Sequence, residues 1–386
     1  MDMNHGMTAS LSVARIHSFE ELDQYKAEWE ALDEQQFPRT PFTSPLWMTL
    51  WWKHFRRQGI KFRDSCYLHI VQDAEGRLVA VVPLMRSWFP GMAPLVRVIQ
   101  FFGNDPAVTE LRGVICRRED QDDVIRTLTS YFLARQHEWE IFRWNGLHRS
   151  ASEYAFLTDG CEFIERRLVP DYVVELPKSW DLLNARVSSN MRKNLRKTYE
   201  FLDRDGFRFE LNVVQRREDI AAAVDRFLML HVARSDTPDM IYHPKRFANQ
   251  RERAFLLEYL GRMADRGQLR IFELEINGEV VASRIAFLLG SELYMYFSGY
   301  NPSWRKYGVM TLLVSEIIKW AINHGLRWVN LSTGNDQSKL RWKPSEIIYS
   351  DCMQVSPTLR GKLTFRGFQA YEGLTRSRDA VPAQSE

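Results

Sequence analysis

One segment of the 386-residue chain restricts the fold more than any other: a strand, a loop, an apolar helix and a second strand follow each other between residues 295 and 333. It reads "MYFSGYNPSWRKYGVMTLLVSEIIKWAINHG" and continues with "LRWVNLST". Polar residues recur at every fourth position from Thr311 to Asn323, and the other sides of this helix are apolar. Such a helix is buried over most of its circumference, as when it crosses over a sheet. The segment therefore predicts a right-handed β–α–β unit.

The loop that leads into this helix carries two cations and a glycine, Arg305, Lys306 and Gly308. The first amides of a helix have no partner within the helix, and they carry partial positive charge from the peptide dipoles. Cations and a glycine at that position favour a site for an anion such as phosphate. The alternative is an ordinary turn whose Arg and Lys are solvated, and spacing alone favours neither. The sequence contains no G-x-x-x-x-G-K-[ST], G-x-S-x-G or H-E-x-x-H motif.

The composition indicates a globular protein with room for two domains, since 45% of the residues are hydrophobic and 26% are charged. The net charge is +3 with both signs interspersed, which argues against DNA as a partner. Four widely spaced cysteines show no metal-ligand spacing, so we expect reduced thiols and no metal. No signal segment and no run long enough to span a bilayer are found. We expect a cytoplasmic protein without a transmembrane segment.

The two halves of the chain repeat the same order of predicted elements. Residues 66–85 and 269–287 each read as a β-hairpin, and the second contains an Asn-Gly turn, which is a strong hairpin signal. Each hairpin follows helical sequence and precedes a strand, an amphipathic helix and another strand. This order predicts an α/β protein with two tandem domains at 12–160 and 165–360, each a mixed twisted sheet flanked by helices, and a disordered tail at 373–386.

A basic helix opens the second half. Within "SSNMRKNLRKTYEFLDRDG", the side chains of Arg192, Lys193, Arg196 and Lys197 form a compact positive patch beside an apolar face. Such a patch is either a solvated helix face or a binding surface for an anionic substrate, membrane headgroups or RNA. Acidic residues close behind it make nucleic acid the weakest of these partners.

A third candidate is the loop "STGNDQSKLRW", which follows the last strand of the β–α–β unit. Loops at the carboxyl ends of strands often carry functional residues. In this loop Asp336 is a candidate general base, and Lys339 is a candidate for holding an anion or stabilising an oxyanion. The alternative is a polar loop that is closed by a local Asp336–Lys339 ion pair.

Together these segments resemble the GNAT-fold acyltransferases, specifically the BioF2-like/CelD-type branch associated with bacterial cellulose and exopolysaccharide synthesis, which is related to the Fem-type aminoacyl transferases. The resemblance is carried by "SGYNPSWRKYGVMTLLVSEIIKWAINHG", "VNLSTGNDQSKLRW" and "NMRKNLRKTYEFLDRDG". The segment "FTSPLWMTLWWKHF" in the first half is also similar to this branch. The likeness covers residues 14–360 and therefore both halves.

The resemblance implies acyl-CoA, by expectation acetyl-CoA, as co-substrate of the domain at 165–360. In GNAT proteins the CoA pyrophosphate rests on the amides of an Arg/Gln-x-x-Gly-x-Gly/Ala loop, and the pantetheine arm lies between two splayed strands. Met310 departs from this pattern, and its bulk narrows the path to its own amide. The residues expected to bind the cofactor are Tyr296, Phe297, Ser298, Arg305, Lys306, Tyr307, Gly308, Val309, Met310, Asn330 and Ser332.

The resemblance also implies the reaction, which is transfer of an acyl group from the thioester to an amine or hydroxyl. Asp336 is then the expected base and Lys339 the orienting residue. A small-molecule or sugar-linked acceptor is expected between the halves, near Arg192, Lys193 and Arg196. Two other functions stay open. One is a Fem-type transferase that uses aminoacyl-tRNA, which needs more positive surface than a net charge of +3 offers, and the other is a non-catalytic module in polysaccharide synthesis.

Overall fold

The computed structural model describes residues 11–60, 62–89, 96–104, 108–148, 153, 161–235 and 246–379. Its strands are β1 (Ser12–Ile16), β2 (Arg63–Cys66), β3 (Leu68–Gln72), β4 (Leu78–Val82), β5 (Leu84–Phe89), β6 (Val96–Phe101), β7 (Ile115–Cys116), β8 (Ile141–Leu147), β9 (Phe163–Glu175), β10 (Phe209–Val214), β11 (Leu269–Ile276), β12 (Glu279–Leu289), β13 (Glu292–Tyr300), β14 (Trp328–Thr333) and β15 (Ser345–Val355).

The helices are α1 (Phe19–Leu22), α2 (Lys26–Glu34), α3 (Pro45–Phe55), α4 (Gln121–Leu133), α5 (Trp180–Arg186), α6 (Ser189–Arg204), α7 (Ile220–Ser235), α8 (Gln250–Asp265), α9 (Val309–Asn323), α10 (Gln337–Leu340) and α11 (Leu359–Asp379). In the parts of the chain given above, no helix has the length and apolar character needed to cross a membrane. Of the tail predicted at 373–386, residues 373–379 belong to α11, and 380–386 lie outside the described residues.

Eleven strands form one mixed sheet in the order β10-β11-β12-β13-β14-β9-β15-β8-β6-β5-β2, and β1, β3, β4 and β7 form a smaller sheet. Two pairs, β13 with β14 and β6 with β8, are parallel, and each is bridged by a helix as the duplicated unit predicts. The α/β class is therefore confirmed. The halves do not have one separate sheet each, however, because the main sheet runs through both of them.

Two long strands join the halves. The strand β9, which opens the second half, pairs with β14 of the same half. The strand β15, which ends the second half, lies between β9 and β8 and pairs with both. The second half thus supplies the strand that pairs with β8 of the first half, and this continuity fixes the halves against each other.

The predicted β–α–β unit is confirmed as β13–α9–β14. The helix α9 is buried over most of its circumference, and the middle of its polar stripe faces another helix. Tyr199 of α6 donates from its hydroxyl to Glu316 at 2.6 Å, and Lys319 donates from Nζ to the same hydroxyl at 2.8 Å. The basic helix α6 is therefore packed against α9 on the outer side of the second half.

Both predicted hairpins are present. Asn277 and Gly278 join β11 to β12 with φ angles of +49° and +87°, as a type I′ turn requires. In the first hairpin, Asp73 accepts hydrogen bonds from the amides of Glu75 and Arg77 and so closes the turn between β3 and β4. This hairpin belongs to the smaller sheet, and the chain enters the main sheet through Pro83, which cannot donate to a ladder.

Aromatic side chains fill the contact between the halves. Trp47 of α3 is fully buried, and its ring centroid lies 5.0 Å from that of Phe255 and 4.7 Å from that of Tyr259, both in α8. Phe42, which precedes α3, lies 5.5 Å from the ring of Tyr294 in β13. Edge-to-face contacts of this kind add to the burial of large apolar area. The first half is thereby held against one end of β13.

We predict that the two halves unfold together because they share one sheet. Trp144 of β8 is fully buried, and its Nε1 donates to Gln354 of β15 at 2.9 Å. Trp144→Ala is expected to cost about 3–5 kcal/mol of unfolding free energy. Amide hydrogen exchange should show this loss in β11–β13 as well as in β6 and β8. Leu293→Ala, at a fully buried position in β13, is the matched change in the other half. A loss of protection confined to the substituted half would contradict the prediction.

Candidate active site

A cleft of about 630 Å³ lies between β13, β14 and the first turn of α9. The two parallel strands pair only from Glu292–Trp328 to Tyr294–Asn330, although β13 continues to Tyr300 and β14 to Thr333. On its other edge β14 pairs with β9 from Trp328 onward, and this ladder shifts its register between Asn330 and Thr333, which pairs with Asp171. The strands therefore separate, and the cleft occupies the opening between them.

A β-bulge shapes one wall of this cleft. In the ladder between β12 and β13, Ser298 pairs with Arg284 and Met295 pairs with Ala286. Tyr296 and Phe297 thus stand opposite a single residue of β12. A bulge leaves one residue out of the ladder and redirects the neighbouring side chains. Here it turns the middle of β13 towards the cleft.

Most residues that were predicted to bind the cofactor line this one cleft, together with the two predicted catalytic residues. They are Tyr296, Phe297, Ser298, Arg305, Gly308, Val309, Met310 and Ser332, with Asp336 and Lys339. Three other predicted cofactor residues, Lys306, Tyr307 and Asn330, do not line it.

The first turn of α9 begins at Gly308, which has φ +62° and ψ +33°. This is the left-handed region, in which residues with a Cβ are strained. A Cβ at Gly308 would also lie 3.0 Å from Thr198 Oγ1 in α6. The Thr311 and Leu312 amides donate to Gly308 O at 2.9 and 3.0 Å. The backbone therefore requires glycine at this position whether or not a ligand approaches it.

Lys306 and Tyr307 face α6 instead of the cleft. Tyr307 is buried and donates from its hydroxyl to Asp205 Oδ2 at 2.7 Å, near the end of α6. Lys306 Nζ lies 4.6 Å from the centre of the Tyr307 ring. Together these contacts fix the short 3₁₀ turn that presents Arg305 and Gly308 to the cleft.

Asn330 is buried beneath the cleft and shapes the end of β14. Its Nδ2 donates to Asp171 Oδ2 at 2.9 Å, and its Oδ1 accepts from the Ser332 amide at 2.7 Å. Ser332 has φ +67°, an uncommon backbone conformation for a residue with a side chain. Asn330 therefore holds the turn at which β14 leaves β13.

The structure places Asp336 and Lys339 at the cleft but uses both to close the loop after β14. Lys339 Nζ donates to Ser332 O at 3.0 Å and to the carbonyl of Thr333, and burial lowers the pKa of Lys339. Asp336 caps α10 by accepting from the Ser338 amide at 2.8 Å. Burial opposes ionisation of Asp336, but the hydrogen bonds from Ser338 outweigh it and lower the pKa of this carboxyl. A carboxylate held in this way is a weak base.

Glu110, which was not among the predicted site residues, reaches the same cleft from the first half of the chain. It is half-buried and accepts a hydrogen bond from the Tyr294 hydroxyl. Burial raises the pKa of Glu110 to about 7. It comes from an irregular segment with no periodicity, and only the packing of the first half against β13 brings it to the site.

Two fully buried carboxyl groups, Asp171 and Glu292, lie at this junction together with the half-buried Glu110. Burial raises the pKa of Asp171 to about 6 and that of Glu292 to about 7. Within the residues that the structure describes, no group of three or more His, Cys, Asp or Glu side chains is arranged to hold a metal ion.

The cleft has a positive lining, of which the sequence patterns predicted Arg305 and Lys339 but not the arginines of distant segments. Arg234 at the end of α7, Arg246, Arg284 and Arg341 join Arg305 and Lys339 around it. Two carboxyl side chains, Glu110 and Asp336, are the acidic members of this lining. A concave surface with more cationic than acidic side chains attracts anionic ligands.

The basic patch of α6 lies away from the cleft and from the contact between the halves. Arg192 Nη1 donates to Val187 O at 2.7 Å and so satisfies a carbonyl at the end of α5. Arg196 forms an ion pair with Glu200 at 3.4 Å, and Lys193 is exposed. The expectation that Arg192, Lys193 and Arg196 lie beside an acceptor between the halves does not fit these positions, because α6 packs on α9 instead.

The corresponding opening in the first half is closed by its own side chains. There β6 and β8 part after Gln100–Arg143, and Gln100 Oε1 accepts from Asn104 at 2.7 Å and from Arg143 at 3.1 Å. The helix α4 that follows has Asp122 and Asp123 in its first turn, whereas the first turn of α9 has no acidic residue. Acidic side chains at a helix start oppose anion binding, so the second half provides the better site.

We predict a pH-dependent effect at Glu292, whose exposed fraction is 4% and whose folded-state pKa is raised from 4.5 to about 7. The folded state keeps a proton that the unfolded state releases, so this stabilisation is lost as pH rises from about 4.5 through 7. The unfolding free energy of Glu292→Gln relative to the natural protein should increase by about 1–3 kcal/mol from pH 5 to pH 8. Urea denaturation measures this difference, with Glu210→Gln at an exposed site as the control. The prediction would be refuted if the unfolding free energies of Glu292→Gln and of the natural protein changed with pH in the same way.

Comparisons with known proteins agree with this geometry. Residues 189–343 match the family model described as the acetyltransferase (GNAT) domain. The crystal structure of FemX is 9% identical over 91% of this chain and 98% of that chain, with a TM-score of 0.57, which indicates a shared fold. A conserved protein of unknown function from Bacteroides thetaiotaomicron is 14% identical over 89% of this chain and all of that chain, with a TM-score of 0.48. No curated protein matches the chain. The segment that matches the GNAT domain model, residues 189–343, includes β13, α9 and β14.

Proposed function

We propose that the protein is an acyltransferase that moves an acyl group from acyl-CoA, with acetyl-CoA as the simplest donor, to an amine or hydroxyl acceptor. The observation that carries this proposal is the parting of β13 and β14 in front of the first turn of α9, inside the GNAT domain. A cleft of about 630 Å³ with a positive lining is large enough for the reactive arm and phosphates of such a donor.

The pyrophosphate of the donor would lie at the start of α9. Helix geometry leaves the Val309 and Met310 amides open there, since the next two amides bond to Gly308 O. Arg305 lines the cleft beside them and supplies a positive charge. The pantetheine arm would then follow the opening between Tyr296–Ser298 and Ser332, which is apolar on its aromatic side.

Glu110 is the residue that we assign as general base. A carboxyl with a pKa of about 7 accepts a proton near neutral pH far better than Asp336, whose pKa is lowered. In the reaction the acceptor nitrogen or oxygen bonds to the thioester carbon, and its proton passes to the Glu110 carboxylate. The carbon–sulfur bond then breaks, and the CoA thiolate leaves and takes up a proton, so that Glu110 returns to its ionised form when it gives its own proton to the sulfur or to solvent. The Tyr294 hydroxyl, which donates to Glu110, holds the carboxyl in position.

The acceptor would enter beside Glu110, where the first half meets the cleft. A small molecule or a sugar-linked amine fits a site between two halves, and the CelD-type resemblance suggests polysaccharide or cell-envelope biosynthesis. A transferase that uses aminoacyl-tRNA remains the second candidate, since FemX shares this fold. Binding of acetyl-CoA separates the two, because a tRNA-dependent enzyme has no use for it.

We predict that a negative charge at the start of α9 weakens ligand binding without lowering the stability of the protein. Met310→Glu places a carboxylate in the first turn, where it favours the helix dipole and repels phosphate. Acetyl-CoA should bind at least tenfold more weakly, which corresponds to about 1.4 kcal/mol, while the melting temperature should stay equal or rise. Titration calorimetry and thermal unfolding measure the two effects.

Met310→Gln is the matched neutral control for this test, and its affinity should stay within about threefold of the natural protein, well below the tenfold effect of 1.4 kcal/mol. Gly308→Val is less informative, because its positive φ strains the fold before any ligand binds. Equal acetyl-CoA affinity in the Glu and Gln variants would reject the phosphate site at α9.

We predict that Glu110→Gln abolishes acyl transfer but not donor binding. The rate of CoA release with an amine acceptor should rise with pH through about 7 in the natural protein, since Glu110 must be ionised to accept a proton. In the variant the rate should no longer rise with pH in this range, and it should be lower by about 100-fold or more. Thiol release across pH measures both, and an unchanged profile in Glu110→Gln would assign the base to another residue.

A further inference from the structure

Two arginines from different elements meet at one hydroxyl in the cleft. Arg284 of β12 donates from Nη2 to Ser298 Oγ at 3.2 Å, and Arg234 of α7 donates from Nη1 to the same oxygen at 3.0 Å. Like charges repel at this separation, so the arrangement costs free energy unless something else uses it. Such a cost is usually associated with function.

Arg284 is the more constrained of the pair. Its remaining contact is from Nη1 to the sulfur of Met295 at 3.5 Å, and its Nε is buried without a hydrogen-bond partner. No carboxylate of the described residues forms an ion pair with it. Burial together with the charge of Arg234 lowers the pKa of Arg284 to about 10, although the charges of Glu110 and Asp336 act against this shift. The guanidinium of Arg284 is therefore partly desolvated and has no direct carboxylate partner.

Two carboxyl groups of the cleft, Glu110 and Asp336, act on Arg284 through their charge, but neither forms an ion pair with it. Burial raises the pKa of Glu110 to about 7, so this carboxyl is partly protonated at neutral pH. Asp336 accepts from the Ser338 amide at the start of α10.

The fold holds the pair rigidly. At Gly299 of β13 a Cβ would lie 2.3 Å from the backbone nitrogen of His231, so only glycine lets α7 approach this closely. His231 Nδ1 lies 3.0 Å from Ser298 O, and the Arg246 amide donates to His231 Nε2 at 3.3 Å. These bonds anchor the last turns of α7 on β13, and they carry Arg234 to the hydroxyl of Ser298.

The pair of arginines also lies beside the part of β13 that would face the reacting thioester. Ser298 and Arg284 are the register pair that borders the bulge of Tyr296 and Phe297. Under the function proposed above, this bulge faces the arm that carries the thioester. Guanidinium groups match the paired oxygens of a carboxylate or a phosphate, which they bind through two parallel N–H donors.

We propose that Arg234 and Arg284 bind a carboxylate or phosphate group of a substrate beside the reacting thioester, so that this transferase acts on an acidic substrate. The inference rests on the proposed acyltransferase function. The anionic group comes from one of two sources, either an acyl donor that is the half-thioester of a dicarboxylic acid, or an acidic acceptor.

Calorimetric titrations with acetyl-CoA, succinyl-CoA and free CoA test the donor source. If the acid is on the donor, the natural protein binds succinyl-CoA at least tenfold more tightly than acetyl-CoA, and Arg284→Met reduces that ratio to about one. Arg270→Met, which removes a half-buried arginine of β11 outside the cleft, should preserve the ratio.

Titration of succinate and of inorganic phosphate into the CoA-saturated protein tests the acceptor source. If the acid is on the acceptor, one of these anions binds in addition to CoA, Arg284→Met weakens it at least tenfold, and the two CoA esters bind alike. Arg284→Lys should recover part of this binding, since it retains charge without the planar fork.

The proposal is overturned if Arg284→Met weakens acetyl-CoA, succinyl-CoA and CoA by one common factor, because the pair then holds the phosphates of CoA itself. It is also overturned if neither anion binds and the two esters bind equally. Failure of the acyltransferase function has a different signature: the natural protein then binds no CoA ester at all. In that case Arg284-dependent binding of succinate or phosphate to the free protein would still support the anion site, and its absence would reject it.

Discussion

The site depends on one event in the main sheet, the separation of β13 from β14 after three paired positions. Asn330 stabilises it by bonding to Asp171 on one side and to the Ser332 amide on the other. On its other edge the strand β14 stays paired with β9 from Trp328 to Thr333, with a shift of register after Asn330. The sheet is therefore continuous on the β9 side of β14 and open on the side that faces β13.

The electrostatics of the cleft follow from the burial of its ionisable side chains. Carboxyl groups that lie under the opening have raised pKa values, whereas the arginines stay charged and two of them share one hydroxyl. A site that holds charged arginines beside a carboxyl group with a pKa near 7 is suited to anions and to proton transfer near neutral pH. The first half contributes Glu110 to this balance and has no equivalent opening of its own in its described residues, because Gln100, Asn104 and Arg143 fill the space between β6 and β8.

Local patterns in the sequence predicted what depends on local physics. The periodicity of α9, the Asn277–Gly278 turn and the glycine at the start of α9 all reflect constraints within a few residues, and the structure contains each of them. Glu110 and Arg284 could not be found this way, since they meet at the cleft only through contacts across the fold. For Asp336 and Lys339 the sequence predicted the position at the cleft but not the structural contacts of their side chains. Their position in the loop was apparent, but capping of α10 and of the end of β14 already occupies both side chains.

The central claim is that the opening between β13 and β14 receives acyl-CoA with its phosphates at the start of α9. Hydrogen exchange of the natural protein with and without saturating acetyl-CoA tests it most directly, because the Val309 and Met310 amides are themselves the proposed ligands of the pyrophosphate. Exchange should slow at Val309 and Met310 and along Tyr296–Ser298, while the start of α4 in the first half should not change. Protection that appears elsewhere and leaves the first turn of α9 unaltered would contradict the account.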